Sequence, residues 1–418
     1  MESDFVQPDA AKQPRWVKFA KFVDTRLGLA NTILRPVPQY SLSPGYWLGS
    51  LAFVAFLVCG VTGILQLQHY VPTPDGAYDS VQYFGANVPY GSLIQSIHLY
   101  SAYSMIILAF AHMMRGYFLS VQKKPRELMW IVGMLMGVSA MAMGFTGYLL
   151  PWTVVSKSAT DISIGLVNNM PDPIRSLLLY SLTGAGTDSD LILRFFALHT
   201  VIIPAVLFLL FAVKLHIFEV YGVTDSIGRA AGKSETPISW FPRVAAYMFL
   251  LSAVVGAVVL TAAVLFPSTL AARFSYEAAS QLTPIPEWYF LWAYQVLKLQ
   301  VFEGQTGVRL ALTLLGTIGA LFFFLPFIDR GSTRRTPRER PVYVTLGAIA
   351  IVELFVFTIW ASLTPGETIP SNQAVLVTGG TALITAAIII PYTYSKLRKP
   401  ALLYEHFPAV EVKREQGK

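Results

Sequence analysis

Apolar residues gather into eight stretches, 46–68, 93–119, 128–150, 193–218, 243–266, 308–328, 341–363 and 374–395. Each is near the roughly 20 residues that a helix needs to cross a bilayer. The polar connections alternate in charge: Lys and Arg concentrate in the N-terminal segment, after spans two, four and six, and in the C-terminal tail. That is the positive-inside pattern, and it predicts an all-α integral membrane protein of eight transmembrane helices with both termini cytoplasmic. Of 418 residues, 54% are hydrophobic and 13% charged, far from a soluble composition. The net charge of +7 follows from topology, so the expected partner is lipid rather than nucleic acid.

The chain divides into a basic N-terminal segment (1–45), a bundle of spans one to four (46–222), a rear group of spans five to eight (223–396) and a charged tail (397–418). The polar connection "DRGSTRRTPRER" is a second plausible break between front and rear. Lys12, Arg15, Lys18, Lys21 and Arg26 make the first segment a basic interfacial lead-in, with no apolar region and cleavage site of a signal peptide. Two outer connections are long, 151–192 and 267–307, and long ordered loops tend to carry function. The single cysteine, Cys59, excludes an internal disulfide, a CxxCH haem attachment and a cysteine-held iron–sulfur cluster within this chain. Any haem must be held non-covalently.

Four of the six histidines fall in two spans: His98 and His112 in span two, His199 and His216 in span four. An imidazole in hydrocarbon is costly without a partner, which makes an intramembrane histidine a functional candidate. His98 and His112 are fourteen residues apart. At ~100° and ~1.5 Å per residue both rings lie on nearly one face, roughly 21 Å apart, so two stacked sites are implied. With spans two and four side by side, His98 faces His199 near the outer side and His112 faces His216 near the inner side. Each pair would clamp one iron, and two axial imidazoles leave haem iron no open position, which suits electron transfer. The plainer reading, polar groups bonding between helices, does not require this four-member pattern.

Glycines repeat the interval. Gly49 and Gly63 in span one, and Gly133 and Gly147 in span three, are also fourteen apart. Glycine allows a flat macrocycle to approach a helix; alone it more often marks helix packing. The shared interval favours two porphyrins inside a four-helix bundle.

At this point the chain resembles cytochrome b of the quinol-oxidising bc complexes over nearly its whole length. The motifs are the helix with His98, His112 and Arg115, "GYLLPW" from Gly147 to Trp152, "RFFALHTVIIP" from Arg194 to Pro204 and "PEWYFLWAYQVLK" from Pro286 to Lys298. The resemblance implies the fused eight-helix form rather than the split b6 and subunit IV form. It implies two non-covalent b-type haems or modified haems, a low-potential one on His98 and His199 at the outer face and a high-potential one on His112 and His216 at the inner face. One departure stands out: His199 and His216 are seventeen apart where the family keeps fourteen or fifteen, and Lys214 stands in the usual ligand column. His216 remains the expected ligand, since imidazole binds iron in its ordinary neutral form and lysine must first lose a proton; Lys214 is expected near a haem propionate or snorkelling inward. Span four must then tilt, bulge or unwind.

"PEWY" sets Glu287 in an outer loop between a proline and aromatics. By itself that is also a helix start, with proline in the first turn and an acid on the dipole. With the resemblance, Glu287 becomes the expected proton acceptor of the outer quinol site, with Tyr148 nearby. The inner quinone site reads poorly: Arg243 is the one possible counterpart of the family's residues. Gln95 stands where many members have an arginine facing a haem propionate, and Arg115 is expected to pair with a propionate of the inner haem. His69 and His406 are expected at the surface.

The resemblance thus implies a respiratory subunit of a prokaryotic-type plasma membrane that oxidises quinol at the outer face. One electron goes to a Rieske iron–sulfur protein and one across the two haems to a quinone at the inner face, coupled to proton translocation. Cytochrome c1 or an equivalent acceptor would complete the complex, and the family implies a second copy, as a homodimer. Two other classes compete: a dihaem membrane anchor of a dehydrogenase, which has no need of the PEWY loop and rear helices, and a proton-coupled transporter, which would not place glycines in register with histidines.

Overall fold

In the computed structural model, which describes residues 15–27, 36–222, 237–330 and 339–394, eight helices are long and apolar enough to cross a membrane. They are span one Leu48–Leu67, two Gly91–Phe118, three Glu127–Leu149, four Asp188–Tyr221, five Trp240–Leu265, six Gly304–Phe323, seven Pro341–Leu363 and eight Ser371–Tyr394. Span four starts earlier than its apolar stretch because Thr187 caps it: Oγ1 accepts the amide of Asp190 at 3.0 Å. His406 and the tail lie outside the described residues.

Each histidine-bearing helix packs against a glycine-bearing one, two against one and four against three, while two also touches three. Midway through this bundle sits a buried cluster that includes Phe56, Met105, Ala140 and Leu207. Phe56 is seven residues from both Gly49 and Gly63, Met105 seven from both His98 and His112, and Ala140 seven from both Gly133 and Gly147. Seven residues are nearly two turns, so each cluster member shares a face with the candidate residues above and below it. Phe53 stacks on Phe211, with ring centroids 3.7 Å apart, and Phe56 lies 5.1 Å from Phe208. Aromatic packing therefore fills the bundle between its two levels.

Span four is not a uniform α-helix. Leu198–Ile202 forms a π turn between the α-helical stretches Asp188–Ala197 and Ile203–Tyr221. Pro204 follows directly; it has no N–H for Thr200, and its ring crowds that carbonyl in a regular α-helix. A widened turn just before it relieves both problems.

The rear group joins the front through a buried staple at the His112 end of the bundle. Asp329, after span six, pairs with Lys123 at 2.8 Å and with Arg340, and all three are buried. Arg340 also donates to the carbonyl of Tyr117 at 3.1 Å, and the Tyr117 hydroxyl donates to the carbonyl of Tyr343 at 2.6 Å. At the His98 end the helix Val154–Val167 begins with a reciprocal Thr153–Ser156 cap. The amide of Val154 bonds the carbonyl of Ala272 at 2.9 Å, tying the two long outer connections together. On the lead-in helix Arg15–Leu27, Phe19 and Phe22 are exposed beside Lys18 and Lys21, a composition suited to a membrane interface. A two-residue antiparallel ladder pairs Pro36–Val37 with Ile238–Ser239.

Candidate functional site

At the outer level, the rings of His98 and His199 face each other with centroids 6.2 Å apart and planes at 68°. Two imidazoles holding one metal through bonds of ~2 Å each would place their centroids about 6 Å apart. Both are anchored in the same way. His98 Nδ1 lies 3.1 Å from the carbonyl of Cys59 and 3.0 Å from Thr62 Oγ1. His199 Nδ1 lies 3.0 Å from the carbonyl of Met143 and 3.4 Å from Thr146 Oγ1. In each case the carbonyl belongs to the residue four before the facing glycine and the threonine to the residue one before it. A Nδ1–H donated to a carbonyl leaves the Nε2 lone pair free for a metal and makes it more basic. No three His, Cys, Asp or Glu side chains gather as a metal cage among the described residues. Two facing imidazoles therefore suit a metal that brings its remaining ligands with it, as haem does.

The glycines make room for these side chains. A Cβ on Gly63 would lie 3.2 Å from Cε1 of His98, and one on Gly147 only 2.5 Å from Cε1 of His199. Both glycines thus face the candidate ligand of the neighbouring helix. The reason is the pairing of one with two and three with four, which puts glycine and ligand at the same level.

The inner level is asymmetric. A Cβ on Gly49 would lie 3.0 Å from Cε1 of His112, whose buried Nδ1 has no hydrogen-bond partner among the described residues. Opposite Gly133 stands Lys214, with Nζ 2.9 Å from where a Cβ would be. His216 is exposed, which corrects the expectation that it faces His112. The cause is helical phase. A π turn adds one residue to span four, so the fifteen residues from His199 to Lys214 turn about as far as fourteen α-helical ones, the His98–His112 step. The seventeen to His216 end roughly 160° away from His199, on the other side of the helix. Arg115 lies at the same end of the bundle, its guanidinium 4.0 Å over the ring of Tyr46.

The outer loop brings Glu287 onto span two. Tyr103 donates to Glu287 Oε2 at 2.9 Å, and its ring meets Trp288 edge-on at 5.7 Å. Burial holds the Glu287 carboxyl above the usual carboxylate range, opposed by the bonds from Tyr103 and from the backbone at Trp288. Tyr148 is close enough to Glu287 for the two to interact electrostatically. Tyr289 is buried against Gly144, where a Cβ would lie 2.6 Å from its hydroxyl oxygen. Tyr103 was not singled out from the sequence; a tyrosine five residues after His98 inside an apolar helix is the signal that could have found it.

The remaining candidates lie elsewhere. Gln95 donates to the carbonyl of Val81 at 2.8 Å and packs against Gly85, so it ties the helix Ala77–Asn87 to span two. His69 is exposed beside Tyr83 and Phe84. Arg243 lines a cavity of about 310 Å³ with Pro237, Ile238, Ser239 and Pro242.

Residues 103–273 match the family described as cytochrome b(N-terminal)/b6/petB, and residues 277–379 match cytochrome b(C-terminal)/b6/petD. The cytochrome b subunit of a cytochrome bc complex from Chlorobaculum thiosulfatiphilum is 30% identical over 363 residues, covering 85% of this chain and 83% of that protein. Cytochrome b6 of Heliomicrobium gestii is 36% identical over 190 residues, 46% of this chain and 89% of the relative. A chain of a structure described as hyperthermophilic respiratory Complex III superposes with a TM-score of 0.70 at 23% identity, over 90% of this chain and 97% of that one.

Proposed function

This chain belongs to the cytochrome b family of bc-type complexes, and from that premise we propose that it oxidises quinol at an outer site built around Glu287. It is an integral membrane subunit of an electron-transport complex, and haem binding comes with the family. In the proposed reaction a quinol gives up two electrons and two protons. One electron passes to a Rieske iron–sulfur protein and the other goes inward to a quinone near the inner face, so that turnover is coupled to proton translocation. A cytochrome c1 or equivalent acceptor and a second copy of the complex would complete the assembly in a plasma membrane.

The observation that carries this reading is the Tyr103–Glu287 bond. It fixes the proton acceptor to the helix that bears His98, five residues away, or about 7.5 Å along the axis. A proton and an electron leaving one quinol would thus have acceptors on the same rigid element. Burial raises the proton affinity of the Glu287 carboxyl, against the bonds from Tyr103 and the backbone at Trp288, while Tyr148 and Trp288 border the carboxylate. His98 and His199 would hold the outer haem, with Thr62, Thr146 and two carbonyls fixing their tautomers. When bound, haem supplies a one-electron path inward from that site. Arg115 would meet a propionate at the inner end.

The test is the rate at which haem b is reduced by added quinol in purified complex, with the inner quinone site blocked. Glu287→Gln should slow this reduction by tenfold or more while leaving the oxidised spectrum unchanged. Wild-type speed in the variant would remove Glu287 from the reaction.

A further inference from the structure

We propose that Lys214, through its neutral amine, is the axial partner of His112 at the inner haem, so that the two haem sites of this chain differ in ligand chemistry. The inference rests on the dihaem reading above and concerns the ligand position where this chain's residues depart from it.

Three observations converge. First, Lys214 Nζ occupies the place opposite Gly133 that the His199 ring occupies opposite Gly147. Second, the midplane cluster sets an independent register: Leu207 is buried, eight residues after His199 and seven before Lys214. The extra residue in the first interval is the one absorbed by the π turn Leu198–Ile202. The second interval matches the seven-residue steps of Phe56, Met105 and Ala140, so Lys214 completes the pattern on all four helices. Third, His216 is exposed on the far side of span four, and bringing it inward would require a turn of roughly half a revolution.

The chemistry of the donors fits. A lysine amine binds iron through the nitrogen lone pair, and one proton leaves the ammonium as the bond forms. Its four-carbon stem spans the space an imidazole would fill. Around the iron the inner set would be one imidazole and one σ-donating amine, against two imidazoles outside. His112 adds to the contrast, because its Nδ1 lacks the carbonyl and threonine that hold His98 and His199.

The experiment uses the purified complex, with haem-to-chain ratio from pyridine haemochrome, low-temperature electron paramagnetic resonance, and the near-infrared charge-transfer band that reports axial ligands. Wild type should hold two haems per chain with two different near-infrared bands. Lys214→His should keep two haems and move the inner band onto that of a two-imidazole site. Lys214→Ala should abolish the inner low-spin signal and spare the outer one, and His216→Ala should match wild type. Loss of the inner signal in His216→Ala, an unmoved band in Lys214→His, or a single haem in wild type would each overturn the lysine assignment. Wild type with no haem would instead overturn the functional reading on which it rests.

Discussion

Tyr103 and Glu287, 184 residues apart in sequence, meet through a hydrogen bond of 2.9 Å that joins span two to the outer loop. Because the phenol donates to the carboxylate, it favours the charged form. Tyr103→Phe removes that support, so the Glu287 pKa, already raised by burial, rises further. A base must be ionised to accept a proton. The acid limb of the quinol-oxidation profile should therefore move to higher pH, with the rate at high pH largely retained. An unmoved profile in steady-state assays across pH would show that the bond does not tune the acceptor.

Gly147→Ala tests the outer level. Its Cβ would lie 2.5 Å from the His199 ring, and the ring is fixed from behind by the carbonyl of Met143. The expected outcome is loss of the outer haem, halving the haem-to-chain ratio. Gly137→Ala, on the same helix with nothing within 4 Å of its Cβ position, should retain the full ratio.

The eight spans and the fourteen-residue intervals were legible in the sequence because both arise from local periodicity, which a chain carries in its own residues. What could not be counted off was helical phase. His216 was expected to face His112 through a tilt, bulge or unwinding of span four; the π turn is such a bulge, but it shifts the phase so that Lys214 rather than His216 stands opposite Gly133. Pro204 was visible, yet proline alone does not say whether a helix kinks, breaks or widens. Tyr103 and Gly144 were hidden for another reason: their partners, Glu287 and Tyr289, come from a loop far along the chain.

Thr62→Val addresses the anchoring of His98. The substitution removes the Oγ1 that lies 3.0 Å from Nδ1 and leaves the Cys59 carbonyl in place. With less hydrogen bonding to Nδ1–H the imidazole becomes a weaker donor, so the outer haem should be retained and its midpoint potential should rise. Redox titration followed optically would report this, with the inner midpoint as the internal reference. A fall in the outer midpoint would contradict the proposed tautomer.

Asp329→Asn should weaken the attachment of the rear group. It leaves Lys123 and Arg340 buried beside a neutral amide, and breaking a buried ion pair costs ~3–5 kcal/mol. Limited proteolysis in detergent should cut the rear connections faster than in wild type, while the outer haem spectrum persists. Equal cutting rates would show that the staple does not limit opening.

That staple also bears on how the two halves stay together. Lys123 belongs to the front bundle, whereas Asp329 and Arg340 belong to the rear, and the Val154–Ala272 bond repeats the junction on the outer face. Adhesion between the halves is thus built into their surfaces. The covalent link between spans four and five chiefly raises the effective concentration of one half near the other. Confinement to a common bilayer plane serves the same end, which makes peptide continuity there a convenience of assembly rather than a requirement of the fold.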